Sequence, residues 1–289
     1  MIAGNWLRYA LLTTLMWGVW GAFTSLPSEH GFPDTLTYVV WALTMIAPAI
    51  YALRRAHSGL QRDARSIVLG LAIGLLGAGG QMLLFRAVTV GPTYLIFPIV
   101  SLSPVVTILM SMILLRERTG RLGMAGIALA VISLPLFDYS PAAQTHHYGS
   151  WFILALAVML AWGLQAYFIK LANATMSAES IFVYMMLTAL MFIPVAYALT
   201  DFSHPINLGL YGPWLAAAVQ ILNAVGALLL VYAFRYGKAI VVSPLINAGA
   251  PLLTALIALA LAGALPGPYK LAGVALALAG ALLLSLQPE

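Results

Sequence analysis

Ala125-Gly126-Ile127-Ala128-Leu129-Ala130 recurs 147 positions later as Ala272-Gly273-Val274-Ala275-Leu276-Ala277. Small apolar residues repeat by chance, so one such pair decides little. Three further matches fall in the same order. Trp17-Gly18 returns as Trp162-Gly163, 145 positions on, and Pro98 and Pro104 return as Pro244 and Pro251, 146 and 147 positions on. Phe85-Arg86 has a counterpart in Phe234-Arg235. Four matches at nearly one offset make an internal repeat, and a repeat constrains the whole architecture. Its units are residues 1–137 and 150–289, joined by a linking outer loop at 138–149.

Composition says what the units are made of. Of 289 residues, 63% are hydrophobic and 7% are charged. An average soluble domain has about 25% charged and about 45–50% apolar residues. A soluble enzyme and a disordered chain are both excluded. Cysteine is absent, which removes disulfides, thiolate metal sites and cysteine nucleophiles.

A bilayer-spanning helix needs about 20 mostly apolar residues. Ten such spans are expected: 6–26, 35–53, 66–86, 92–115, 121–137, 150–170, 180–200, 212–234, 240–263 and 268–286. Charge or turn residues separate them, such as Arg116-Glu117-Arg118 and Pro266-Gly267-Pro268. The first span is too long for a signal-peptide core and has no small-residue cleavage site, so it reads as a retained helix. The fold class is therefore an all-α membrane protein of ten transmembrane helices. Five spans per unit is odd, so the second unit enters from the opposite side. Two inverted five-helix repeats result, an arrangement typical of secondary transporters.

With the N-terminus cytoplasmic, inside segments hold Arg8, Arg54, Arg55, Arg62, Arg65, Arg116, Arg118, Arg121, Lys170, Arg235 and Lys238. Outside segments hold only Arg86 and Lys270. This positive-inside bias places both termini in the cytoplasm. It also accounts for the net charge of +5 without a nucleic-acid partner.

The interior is defined by what it lacks. The acids Glu29, Asp34, Asp63, Glu117, Asp138, Glu179, Asp201 and Glu289 all fall in loops or at span ends. So do all five histidines. Ionisable groups at membrane depth are costly and usually functional. Their absence disfavours proton antiport through a carboxylate, and it disfavours an intramembrane lipid-modifying enzyme, which needs a nucleophile and base at depth. No Walker A pattern, metal site or cofactor site is expected; His146-His147 reads as a solvated loop. The expected partners are the lipid bilayer and a neutral or zwitterionic small molecule, with the chain a monomer or weak homodimer.

Polar and aromatic residues at depth are the candidate binding groups. Trp17 lies about 16 Å into its span and Trp162 is equally deep. Tryptophan prefers the interface, so mirrored mid-depth copies read either as helix packing or as cavity walls. Trp20, Phe85, Tyr94 and Phe97 are further aromatic candidates. Gln81, Gln165, Gln220, Asn223 and Asn247 are amides in apolar helices, and Ser101 is the counterpart of Asn247. Each must bond another helix, water or substrate, because an unpartnered buried amide costs a few kcal/mol. Asn247 lies between Pro244 and Pro251, and Ser101 between Pro98 and Pro104. Proline frees backbone groups, so these four positions are expected helix breaks flanking a midplane site.

A repeated, inverted five-span unit resembles the drug/metabolite transporter superfamily of EamA type. Leu114-Leu115-Arg116-Glu117-Arg118 after the fourth span and the Ala-Gly-Ile-Ala-Leu run opening the fifth carry the likeness. The second unit departs from it, with Ala264 where the partner of Glu117 belongs. The overall look is closest to the YddG-like aromatic amino acid exporters. The resemblance implies that spans one, three, four, six, eight and nine line a cavity and that five and ten are scaffold. It implies a bacterial-type inner-membrane exporter of neutral or aromatic amino acids, working by alternating access as a uniporter or exchanger. An exporter of other metabolites or lipophilic drugs is the alternative.

Overall fold

The computed structural model describes residues 5–56, 59–90, 96, 99–138, 149–262 and 267–286. Among these, ten helices follow in order: α1 Asn5–Phe23, α2 Asp34–Arg55, α3 Ala64–Val90, α4 Ser103–Ile113, α5 Arg121–Asp138, α6 Ser150–Ala172, α7 Ala178–Ala198, α8 Leu210–Tyr236, α9 Ala239–Ala262 and α10 Pro268–Ser285. A single helical turn, Leu26–Glu29, sits in the loop between α1 and α2. Five of the ten are long and apolar enough to cross a bilayer: α2, α3 as far as Leu84, α6, α7 and α8.

Helix ends follow local chemistry. Asp63 opens α3 as an N-cap, its Oδ1 accepting the Ser66 backbone N–H at 3.0 Å and its Oδ2 the Ser66 hydroxyl at 2.6 Å. These bonds hold its carboxyl below the usual aspartate range. Ser177 caps α7 by accepting the Ser180 N–H at 3.1 Å. Helix α2 breaks at Met45 and α7 at Phe192. Pro48 and Pro194 follow the breaks; each lacks the N–H that would bond the carbonyl four residues back.

Packing repeats the sequence symmetry. Helix α1 packs on α8 and α9, and α6 packs on α3 and α4; α2 meets α8 as α7 meets α3, and α5 meets α10. Individual contacts are mirrored as well. The Trp17 indole N–H donates to the Asn223 carbonyl at 3.3 Å, and the Trp162 indole N–H to the Gly77 carbonyl at 3.3 Å. The Thr254 hydroxyl donates to the Gly18 carbonyl at 2.9 Å, and the Thr107 hydroxyl to the Gly163 carbonyl at 3.0 Å. Each pair maps onto the other at an offset of 145 to 147, the offset of the sequence motifs. Between apolar helices in lipid, close packing and interhelical hydrogen bonds supply association. The largest fully buried side chains include Tyr38, Phe182, Phe234, Ile240 and Ile246, whereas Ile113, Ile153, Leu261 and Leu282 are exposed. An apolar outer surface of this kind fits a lipid environment.

Candidate functional site

The bundle has a near end, where α1 begins, and a far end, where α1 finishes. A cavity of ≈ 50 Å³ lies towards the far end among α1, α2, α3 and α8. That is room for roughly four ordered waters at 10–15 Å³ each. Trp20 and Thr24 come from α1 and its C-terminal edge, Asp34, Thr37, Tyr38 and Trp41 from α2, Gln81 from α3, and Gln220 and Asn223 from α8. The α2 residues share a face because 34, 37–38 and 41 follow the helical repeat. Asp34 is exposed, while Thr37 and Gln220 are 5% and 4% exposed. The cavity therefore runs from an acidic mouth to an amide-lined interior.

Two tryptophans hold the amides in place. The Trp20 indole N–H donates to Gln220 Oε1 at 3.0 Å, and the Trp41 N–H donates to Asn223 Oδ1 at 2.8 Å. Indole N–H groups only donate, so each amide must turn its oxygen to the ring. Among the described residues, Gln220 Nε2 makes one long 3.5 Å contact, donating to the Thr24 hydroxyl. Thr37 Oγ1 is buried and has no hydrogen-bond partner among the described residues.

At the near end, α8 is tied to α1, α6 and α7. Tyr9 of α1 stacks on Tyr232 and Tyr236 of α8, with centroids 5.0 and 5.8 Å apart. The Tyr232 hydroxyl donates to Glu179 Oε1 at 2.6 Å. Lys170 donates to the Phe234 and Gly237 carbonyls at 3.0 and 2.6 Å, and Arg235 donates to the Met176 carbonyl at 2.9 Å. The sequence positions that mirror Gln220 and Asn223 are Gly74 and Gly77. There Thr188 and Gln165 pack on the bare backbone, so Gln220 and Asn223 have no side-chain counterparts at these two positions.

Two matches settle the family: EamA-like transporter, over residues 4–137 and again over 149–286. The chain belongs to the EamA-like transporter family. It is thus a multi-pass membrane protein, and members of this family are small-molecule transporters. Among 29 solved chains that match, one described as "Crystal structure of protein" has a TM-score of 0.77 at 19% identity, covering 98% of this chain and 97% of that one. At that identity it shows a shared fold. No curated protein matches.

In this EamA-like chain, four residues singled out by sequence line the cavity together: Trp20, Gln81, Gln220 and Asn223. Others stand apart from it. Trp17 and Trp162 lie in helix crossings against Gly226 and Gly80. Gln165 packs on Gly77. Asn247 donates to its own helix, to the Ser243 carbonyl at 2.9 Å. Ser101 sits in a turn just before α4, with Pro104 in the first turn of that helix. Helix α9 runs as one element through Pro244 and Pro251. Tyr94, Phe97 and Pro98 lie outside the described residues, as do the side chains of Phe85 and Pro251. Asp34, Thr37 and Trp41 did not stand out in the sequence. Their signal was the shared face at the start of α2, with an acid, a hydroxyl and an indole at helical spacing.

Proposed function

We propose that this EamA-like protein is an inner-membrane exporter of neutral amino acids, with aromatic side chains preferred. Ten spans cross the membrane as two inverted halves, and both termini face the cytoplasm. The near end is then the cytoplasmic end, and the cavity opens outward. Export occurs by alternating access: the near-end seal parts as the far end closes over the solute. Trp17, Trp162 and Asn247, with Ser101 in the turn before α4, belong to the moving segments on either side of the path, and Gln81, Trp20 and Asn223 touch the solute.

The observation that carries this reading is the cavity lining. Trp20 and Trp41 offer flat apolar faces, and Gln220, Asn223 and Gln81 offer neutral polar groups. In the ≈ 50 Å³ now open such a surface suits the zwitterionic head of an amino acid, with the planar side chain taken up between the indoles as the helices part. No acid lies deeper in this cavity than Asp34 at its mouth. Transport accordingly follows the solute gradient by uniport or exchange.

The test is uptake of labelled phenylalanine or tryptophan into proteoliposomes holding the purified full chain, with and without a pH gradient. Saturable uptake that ignores the pH gradient is expected. No uptake above empty liposomes for any neutral amino acid would sink the proposal. Equal competition by non-aromatic solutes would point instead to a broader metabolite exporter.

A further inference from the structure

We infer that the cavity reads the head group of its solute in a fixed orientation, with the ammonium at Asp34 and the carboxylate at Thr37 and Gln220. The inference rests on the transport reading above and adds to it which groups of the solute are required, and where. Three observations carry it. Asp34 is the acidic residue of the lining, and it stands exposed at the mouth. Thr37, one helical turn inward, lines the cavity, and its buried Oγ1 lacks a partner among the described residues. Gln220 is turned by the Trp20 N–H, which occupies its oxygen and leaves its NH2 as the group available to a solute.

The lining is therefore polarised: an acceptor with full charge outside, donors inside. Thr37 is about 4.5 Å from Asp34 along the axis of α2. One helical turn is close enough for the two ends of one α-amino acid head to address both residues. A carboxylate seated on Thr37 and Gln220 gives the Thr37 hydroxyl a partner and the Gln220 NH2 a better one than its 3.5 Å contact with Thr24, and charge-assisted bonds are the stronger kind. An ammonium at Asp34 gains a Coulomb partner in a solvated place, so its contribution falls with salt. Trp20 is a positioning residue that acts through Gln220.

The experiment is competition against labelled phenylalanine uptake by the reconstituted full chain. The probes are phenylalanine, phenethylamine (no carboxylate) and 3-phenylpropanoate (no ammonium). For wild type, phenylalanine should compete best and both analogues weakly. Asp34→Asn should raise the half-saturation concentration for phenylalanine roughly tenfold, abolish the effect of phenethylamine and leave 3-phenylpropanoate unchanged. It should also remove the salt dependence of half-saturation. Thr37→Val should do the reverse, weakening 3-phenylpropanoate and sparing phenethylamine. If Asp34→Asn shifts all three probes alike, or none, the assigned orientation is wrong while the transport reading stands. Absence of wild-type uptake overturns both. Elution profile and melting temperature of each variant separate misfolding from lost recognition.

Discussion

The Glu117 carboxylate closes the N-terminus of α9: its Oε2 accepts the Ile240 backbone N–H at 3.0 Å, across 123 residues of chain. Its other oxygen lies 4.0 Å from Lys170 Nζ, which in turn bonds the last carbonyls of α8. A negative group thus sits on a helix start and a positive group on a helix end, each favoured by the local backbone dipoles. The pair ties the first repeat to two helices of the second at the near end. The second repeat has Ala264 at the corresponding sequence position, and alanine supplies no carboxylate for a mirrored tie.

Removing that tie should loosen the near end. Glu117→Ala leaves the Ile240 N–H without its carboxylate acceptor and Lys170 without its anionic neighbour, at a cost of about 1–3 kcal/mol. Glu117→Gln keeps the acceptor and should recover part of it. Because the chain has no cysteine, a single Val241→Cys reporter needs no background substitutions. Val241 is 5% exposed. Its labelling by a maleimide should be slow in the parent and several-fold faster with Glu117→Ala. Equal labelling rates would show that Glu117 holds nothing shut.

Trp17 and Trp162 should behave alike, and as packing residues. A Cβ at Gly226 would stand 2.5 Å from Trp17 Nε1, and one at Gly80 would stand 2.5 Å from Trp162 Nε1. Gly226→Ala and Gly80→Ala should each destabilise by about 1–3 kcal/mol, the usual cost of overpacking. Trp17→Phe and Trp162→Phe lose one long hydrogen bond each, worth about 0.6 kcal/mol in a bilayer. Thermal melting in detergent checks both sets. A clear difference between the two halves would contradict the mirrored packing.

The α5–α10 crossing offers a test with an internal control. A Cβ at Gly280 would come within 2.8 Å of the Ala130 backbone nitrogen, which cannot swing away as a side chain can. At Gly267 a Cβ meets nothing within 4 Å. Gly280→Ala should lower stability by about 1–3 kcal/mol while Gly267→Ala leaves it within about 0.5 kcal/mol. Matching melting temperatures for the two variants would refute the close approach.

Some of this was legible in the sequence because its cause is local. The span expected at 212–234 is the apolar helix Leu210–Tyr236, and at 121–137 there is a helix, Arg121–Asp138, though not one of the five long and apolar enough to cross. Apolar length and a charged edge decide both. The repeat was legible because symmetry writes itself twice. The breaks in α2 and α7 were written too, as Pro48 and Pro194 at an offset of 146, but a proline is silent until one knows which carbonyl it deprives. The site was harder to read. Trp17 and Trp20 have the same chemistry three residues apart on one helix. What separates them is Gly226 and Gln220 on α8, two hundred residues away. Trp41 drew no notice inside an apolar run, and its partner Asn223 is 182 residues distant.

That distinction between tryptophans leads to a divided expectation. Trp41→Phe frees Asn223 Oδ1 from its only donor among the described residues and lets the amide turn. The Trp20→Phe change does the same to Gln220. Each should raise the half-saturation concentration for phenylalanine uptake about two- to tenfold, the equivalent of about 0.5–1.5 kcal/mol for one hydrogen bond. Maximal rate and melting temperature should change little, since both rings keep their apolar contacts. Trp17→Phe and Trp162→Phe should instead leave half-saturation where it is. Initial-rate uptake over a range of phenylalanine concentrations separates the two classes. If Trp41→Phe and Trp17→Phe give the same kinetic change, the cavity among α1, α2, α3 and α8 does not hold the solute.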